Sequence, residues 1–551
     1  MFLLFACLAL TIAAEKGKLK YLIISMICVG LGFNVKMLQA YMVVPALYIT
    51  YLLATSISFT KRIGHLIIGT VILIIVSLSW AVIVDLVPSN NRPFVDSSTN
   101  NTVTELILGH NGSERISFSS KKSKQGGAPN GGHVDKGGAG QNNNSSNPIQ
   151  NNKSVSNSGN GPQANGRQMG GGPSKASGPQ SSGSLQEQTT QGITRLFSKN
   201  VLSDQIVWFI PLAIFGMFAA FFKEKVGLKL DNKRKQSLIL WSVWFVPVFL
   251  YFSFNTGTSH PYYLTMLAPP TAALAGIGIT AMWTFYKEGG WKSWLLPIAL
   301  LANGAAQLLM LYYFISYSSI VKVLMVLLII LCFVSSIVLS ILNLVKNKND
   351  DNVIRLKKIL VGAAFLGLLL TPFVGSSTVI FTKVNGSFPA AGLELLSGSS
   401  RNDGMSNISS SSKLIEFLEK NNTTEKYLLV VSTSGDASNI IIKTGKPVMT
   451  LGGFGGSDNI ISLNKFKQMV KNGEVRYVMV SSSRSMNNQN SSENSNSAIM
   501  SWAQKNGTLV STSKYSNVDQ TNNNSNSMTP KMGMSGQLYD LKTYTDSNNT
   551  K

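Results

Sequence analysis

LIIGTVILIIVSLSWAVIVDLV, residues 66–87, follows the cationic pair Lys61 and Arg62 and carries one ionisable side chain, Asp85, near its far end. About 20 apolar residues in an α-helix cross the ~30 Å hydrocarbon core of a bilayer. This run is long enough to do so, and it is one of ten. The others cover residues 1–14, 19–33, 37–54, 204–222, 238–254, 262–286, 294–315, 321–345 and 359–381. A single water-soluble domain is thereby excluded. The composition agrees, since charged residues make up 13% of the 551, about half the share usual in a soluble domain.

Lysine and arginine outnumber aspartate and glutamate by 48 to 25, which raises nucleic acid as a partner. The excess sits beside the apolar runs, however, where retention of short cationic loops in the cytoplasm accounts for it. The lipid bilayer is the expected partner, and nucleic acid is not. Lys16, Lys18 and Lys20, the pair Lys61 and Arg62, the cluster from Lys223 to Lys235, the pair Lys287 and Lys292, and the cluster from Lys346 to Lys358 fall at every second connection. This alternation places the connections 34–36, 88–203, 255–261 and 316–319 outside, with everything after residue 381. Cys7, Cys28 and Cys332 lie inside apolar runs, so neither a disulfide framework nor a thiolate metal site is expected.

The same alternation puts Met1 outside on a run of only 14 residues, without the cations that precede the core of a signal peptide. The chain is therefore expected to open midway through a helix. Its missing N-terminal part, as a separate chain, would be a partner.

The expected organisation is transmembrane helices with the start of an outer loop over residues 1–118, a low-complexity disordered insertion over 119–191, transmembrane helices over 192–381, a linker over 382–412, an extracytoplasmic α/β domain over 413–520 and a flexible tail over 521–551. The insertion is dominated by Gly, Asn, Ser and Gln and cannot bury a core. Residues 102–108, before the turn-like pair Asn111-Gly112, predict a short ordered element against the membrane. In the exported region strands are predicted at 426–432, 447–451 and 475–480, alternating with helices at 437–444, 462–471 and 498–506.

Polar groups at the ends of spans carry the candidate chemistry, because burying them is costly without a task or a partner. Lys36 joins two runs with almost no loop, on the side that positive-inside statistics disfavour; an external anion or snorkelling to lipid headgroups satisfies it. In NTGTSHPYY (255–263), His260, Tyr262 and Tyr263 stand at the mouth of a span whose Pro261 suits a first helical turn with free N–H groups. Boundary tyrosines also serve as aromatic-belt residues. Arg92, with Asp85, Asp96 and Glu105, opens the long outer loop, where arginine can hold phosphate bidentately and carboxylates can orient sugar hydroxyls, or all can be solvated loop charges. The run GGFGGSD (452–458) follows a predicted strand as a tight connection or a backbone cradle for a saccharide, and lacks the spacing of a nucleotide loop.

Three strings, GFNVKMLQA (32–40), SLSWAVIVDLVPSNNRPFVDSSTNNTVTELILGHNGSER (77–115) and HPYYLTMLAPPTAALAGIG (260–278), resemble bacterial members of glycosyltransferase family 39. That family includes the protein O-mannosyltransferases and the aminoarabinose transferases, which are polytopic enzymes of the GT-C class. KTGKPVMTLGGFGGSD (443–458) is similar to the extracytoplasmic C-terminal domain of one bacterial branch. The resemblance implies a GT-C-like membrane domain with about ten helices present and a small extracytoplasmic α/β domain. It implies transfer of a hexose of the mannosyl type from a polyprenyl-phosphate carrier to an external acceptor of the cell envelope. No cofactor is implied beyond that donor. Lys36, Arg92, His260, Tyr262 and Tyr263 are then the expected donor-phosphate site, with Asn34, Asp96 and Glu105 as sugar or acceptor contacts. The family's acidic base lies in a first outer loop that has no counterpart in this chain, so no catalytic residue is assigned, and the chain alone is expected to bind donor rather than transfer sugar. Two other readings remain: a transporter using Lys36 and His260, disfavoured by the lack of internal repeats, and an inactive membrane anchor whose exported domain binds a wall polymer.

Overall fold

The computed structural model describes residues 1–116, save 55, 90 and 114; 191–199; 207–256; 261–344; 351–382; 391–397; 412–480, save 423, 455 and 457; 495–516; and 536–544, save 543. The expected insertion (all but its last residue), most of the linker, the polar stretch near residue 490 and His260 lie outside these residues.

Each of the ten apolar runs forms a helix: Phe2–Lys16, Leu19–Val35, Met37–Tyr41 continuing as Val44–Leu53, Phe59–Asp85, Ile210–Glu224, Lys233–Phe254, Ala268–Glu288, Leu295–Tyr313, Ser319–Leu328 continuing through a π-turn into Ser335–Leu344, and Asp351–Phe381. Among the described residues, six helical segments are long and apolar enough to cross a membrane, beginning with Phe59–Asp85. A bilayer favours this outcome because a helix pairs its own backbone groups where no water can.

Between such helices the hydrophobic effect gives little, so small residues that permit close backbone approach do much of the packing. Gly216 and Gly278 cross so closely that a Cβ on Gly278 would stand 2.0 Å from the Gly216 Cα. Buried polar side chains tie the bundle together. The Asn303 amide donates to the Trp208 carbonyl at 2.7 Å while its oxygen accepts from the Leu212 N–H, and Gln307 donates to Trp208 and Leu368 carbonyls, each at 2.9 Å.

Three of the cationic loops meet at one end of the bundle. Lys233 pairs with Glu15 at 2.9 Å, Leu230 donates its N–H to the Leu53 carbonyl, and Arg62 donates to the carbonyls of Leu52 and Ala54.

The soluble region is an α/β unit with five strands: β1 Leu429–Val431, β2 Val448–Thr450, β3 Tyr477–Val480, β4 Thr508–Leu509 and β5 Gln537–Asp540, in spatial order β2-β1-β3-β5-β4. The first three are parallel, with helices Ser434–Thr444 and Leu463–Lys471 between them. β5 corrects the expected boundary at 520. It lies antiparallel to β3, with Leu538 fully buried, inside what reads in sequence as a loose tail. Arg476 and Asp540 clasp these two strands at 2.8 Å. Hydrogen bonding to Asp540 holds the guanidinium above its ordinary value.

The helix crossing generates a stability prediction. Gly278→Ala should lower the thermal unfolding midpoint of the detergent-solubilised protein, whereas Gly276→Ala, on the same helix with nothing within 4 Å of the added methyl, should leave it nearly unchanged.

Candidate functional site

At the end of the bundle away from the cationic loops, helix Leu19–Val35 stops at Lys36, whose extended backbone (φ −151°, ψ 93°) turns the chain into Met37–Tyr41. The Lys36 ammonium lies 3.3 Å from the Tyr262 hydroxyl, 5.0 Å from the centre of the Tyr262 ring and 4.8 Å from that of Tyr263. The two rings meet edge to face at 4.8 Å. They belong to the 3-10 turn Pro261–Leu267 that leads into the next span. His260, immediately before this turn in sequence, lies outside the described residues.

A second cation completes the arrangement, and the sequence reading missed it. Arg115 is 6% exposed. Its guanidinium donates to the Tyr263 hydroxyl at 2.6 Å and to Nε2 of His110 at 3.0 Å, and its carbonyl accepts from the Tyr251 hydroxyl at 2.9 Å. Since a guanidinium only donates, His110 accepts through Nε2 here. Among the described residues neither Lys36 nor Arg115 faces a carboxylate. For the buried Arg115, the ~1–2 kcal/mol gained over an aromatic face does not repay the several that desolvating an ion costs, whereas Lys36 is exposed. The pair thus offers one buried and one accessible positive charge, an arrangement suited to an anion.

Arg92 does not join them, which corrects its place in the expected phosphate site. Its nitrogens donate to the carbonyls of Val87 (2.8 Å), Asn101 (2.9 Å) and Asp85 (2.8 Å) and to the Asp85 carboxylate (3.1 Å). Asp85 also accepts from the N–H groups of Val103 and Thr104, at 2.7 and 2.9 Å, fixing the start of helix Val103–Leu108. Glu105 is likewise consumed by the loop. It accepts from the Thr99 hydroxyl and from the N–H groups of Thr99 and Asn100. The Thr99 hydroxyl above all holds its carboxyl below the ordinary range. Asn34 spends its amide on the carbonyls of Gly30 and Val76, at 3.2 and 2.9 Å, tying two helices together. Asp96 lies against Asp458 of the α/β unit. Of the expected site residues within the described set, then, the structure brings together Lys36, Tyr262 and Tyr263, and it disperses Arg92, Asn34, Asp96 and Glu105.

An apolar cavity of about 550 Å³ is lined by Met42, Pro45, Pro247, Leu250, Tyr251 and Phe254. Tyr251 lines the cavity and donates its hydroxyl to the Arg115 carbonyl, which links the cavity to one of the two cations. The chemistry of the place is therefore a positive head beside an apolar groove.

Residues 1–80 match the family described as "Dolichyl-phosphate-mannose-protein mannosyltransferase", and residues 414–506 match "Putative mannosyltransferase YkcB-like, C-terminal". The chain is 35% identical to "Putative mannosyltransferase YkcB" of Bacillus subtilis over 95% of its own length and 75% of that protein's. It is 34% identical to "Putative mannosyltransferase YycA" of the same organism, over 93% and 75%. No solved structure matches. With its polytopic helical domain and YkcB-type α/β unit, the chain belongs to the YkcB-like family of bacterial membrane glycosyltransferases.

Proposed function

We propose that the protein transfers a mannosyl or related hexosyl residue from a polyprenyl-phosphate carrier to an acceptor in the cell envelope, on the outer side of the membrane. The observation that carries this reading is the convergence of Lys36 and Arg115 on Tyr262 and Tyr263 beside an apolar cavity. A polyprenyl phosphate has the matching form, with an anion at headgroup depth on a long apolar chain. The relatives' names supply the sugar class. His260, two residues before Tyr262, is assigned to the same site.

In such a transfer the bond from the sugar's anomeric carbon to the phosphate oxygen breaks, the acceptor oxygen bonds to that carbon, and the acceptor's hydroxyl proton passes to a general base, for which no residue of this chain is assigned. Negative charge grows on the departing lipid phosphate. Prepositioned donors facing that charge stabilise the transition state more than the ground state, and removing one typically costs on the order of 10²-fold in rate. Lys36 presents a mobile point charge and Arg115 a planar fork held by Tyr263 and His110, so the two constrain the phosphate differently.

Membranes of the native host, supplied with labelled polyprenyl-phosphate mannose, should pass label to envelope acceptors in a manner that depends on this protein. Lys36→Ala and Arg115→Ala should each lower the rate on the order of 10²-fold with normal membrane insertion. Arg92→Ala should instead lower thermal stability, by loosening loop residues 86–105. Full transfer by both Lys36→Ala and Arg115→Ala would refute the site, and absence of any transfer would favour an anchoring role.

The alternating cationic loops further place Lys229 inside and Lys443 outside. Cysteines at these positions, probed on intact cells with an impermeant thiol reagent, should be labelled at 443 and protected at 229. The reverse pattern would invert the topology and remove the site from the outer face.

A further inference from the structure

The glycine loop of the α/β unit packs against the outer loop of the membrane domain through two carboxyl groups. The loop after β2 joins the loop after β1, since Gly452 donates its N–H to the Ser432 carbonyl and Ser434 donates to that of Gly453, both at 2.9 Å. Asp458 donates its own N–H to the Gly452 carbonyl at 3.2 Å, folding its side chain over the glycines. From the membrane domain, Ser97 donates its N–H to Oδ2 of Asp458 at 3.4 Å. Ser97 holds φ at +63°, a left-handed conformation that a non-glycine residue adopts at a cost.

The space between the two elements is accounted for by the carboxyls. A Cβ on Gly453 would stand 2.4 Å from Oδ2 of Asp458 and 3.2 Å from Oδ1 of Asp96, so both carboxyl groups crowd one Cα that must lack a side chain. Asp96 and Ser97 are the groups that face Asp458 from the membrane domain. Among the described residues no lysine, arginine or histidine is paired with either aspartate. Two carboxylates this close to a common point do not both ionise cheaply, and a shared proton relieves the repulsion.

We propose that Asp96 and Asp458 form a proton-operated latch between the outer loop of the membrane domain and the exported α/β unit: one proton shared between them holds the two elements together, and ionisation of both releases them. This is independent of the donor site above. Burial first, and Asp96 second, push the Asp458 carboxyl up from its ordinary 3.8 to about 7. The docked state therefore keeps a proton that an undocked Asp458 gives up at 3.8. Docking weakens as pH climbs from about 4 to about 7, by up to roughly tenfold per pH unit, and is flat above that range.

Hydrogen–deuterium exchange on the full-length protein in lipid nanodiscs tests the latch, with labelling times scaled at each pH for the intrinsic exchange rate. Peptides covering residues 93–102 and 449–460 should lose protection together between pH 5 and pH 7 and change no further to pH 8, while peptides from the Asn303 and Gln307 helix stay unchanged. Asp458→Asn replaces the shared proton with a permanent neutral group and should make protection of both peptides independent of pH. Asp96→Asn should do the same and stands in if the first variant folds poorly. Flat protection in the unmodified protein, a pH dependence that survives both substitutions, or loss of protection throughout the molecule would each overturn the proposal.

Discussion

Two cations that face no carboxylate among the described residues set the terms for the end of the bundle where helix Leu19–Val35 stops. Lys36 lies over the Tyr262 and Tyr263 rings and Arg115 over that of Tyr263, and an aromatic face plus a hydroxyl acceptor repays only part of the cost of removing a guanidinium from water. The loop that runs from Asp85 to Arg115 is organised so as to keep that arrangement in place. Asp85 and Arg92 close its first turn, Glu105 ties its middle, and the helix Val103–Leu108 carries the chain to His110 and Arg115. Tyr251 then fixes the Arg115 backbone to the helix that also walls the apolar cavity. The loop thus brings one charge to the Tyr263 ring, beside Lys36.

The contrast between two arginines shows how such assignments are decided. Arg92 and Arg115 lie in one loop, the one that follows helix Phe59–Asp85, both largely buried. Arg92 meets a carboxylate and three carbonyls, which saturates its fork. Arg115 meets a phenol and an imidazole, neither of which carries a compensating negative charge. The first is structural for the same reason that the second is available.

Much of the architecture was legible because the bilayer and the sheet impose repeating demands on sequence. All ten apolar runs became helices, and the alternation in the soluble region placed β1, β2 and β3 within a few residues of their expected positions. β5 was not legible: QLYD is four residues in an Asn/Ser-rich tail, and its pairing with β3 and β4 makes it a strand. The helix Ser412–Asn421 was also missed, as a single short amphipathic turn pattern at the edge of a linker. In the candidate site, Lys36 stood out because a lysine between apolar runs on the disfavoured side is anomalous in one dimension. Arg115 did not, since its meaning depends on Tyr263, 148 residues away. Arg92 was overread for the converse reason: besides Asp85 its fork is taken up by three carbonyls, to which sequence gives no signal.

The central claim is that the lone cations hold a lipid-borne phosphate while the cavity holds its chain. Native mass spectrometry of the purified protein, titrated with a polyprenyl phosphate and separately with the uncharged polyprenol of the same length, measures this directly. The account predicts that the phosphate-bearing lipid is retained far more strongly than the alcohol, and that this preference disappears when Lys36 and Arg115 are both replaced by alanine. Equal retention of the two lipids, or an undiminished preference in the double variant, would contradict it.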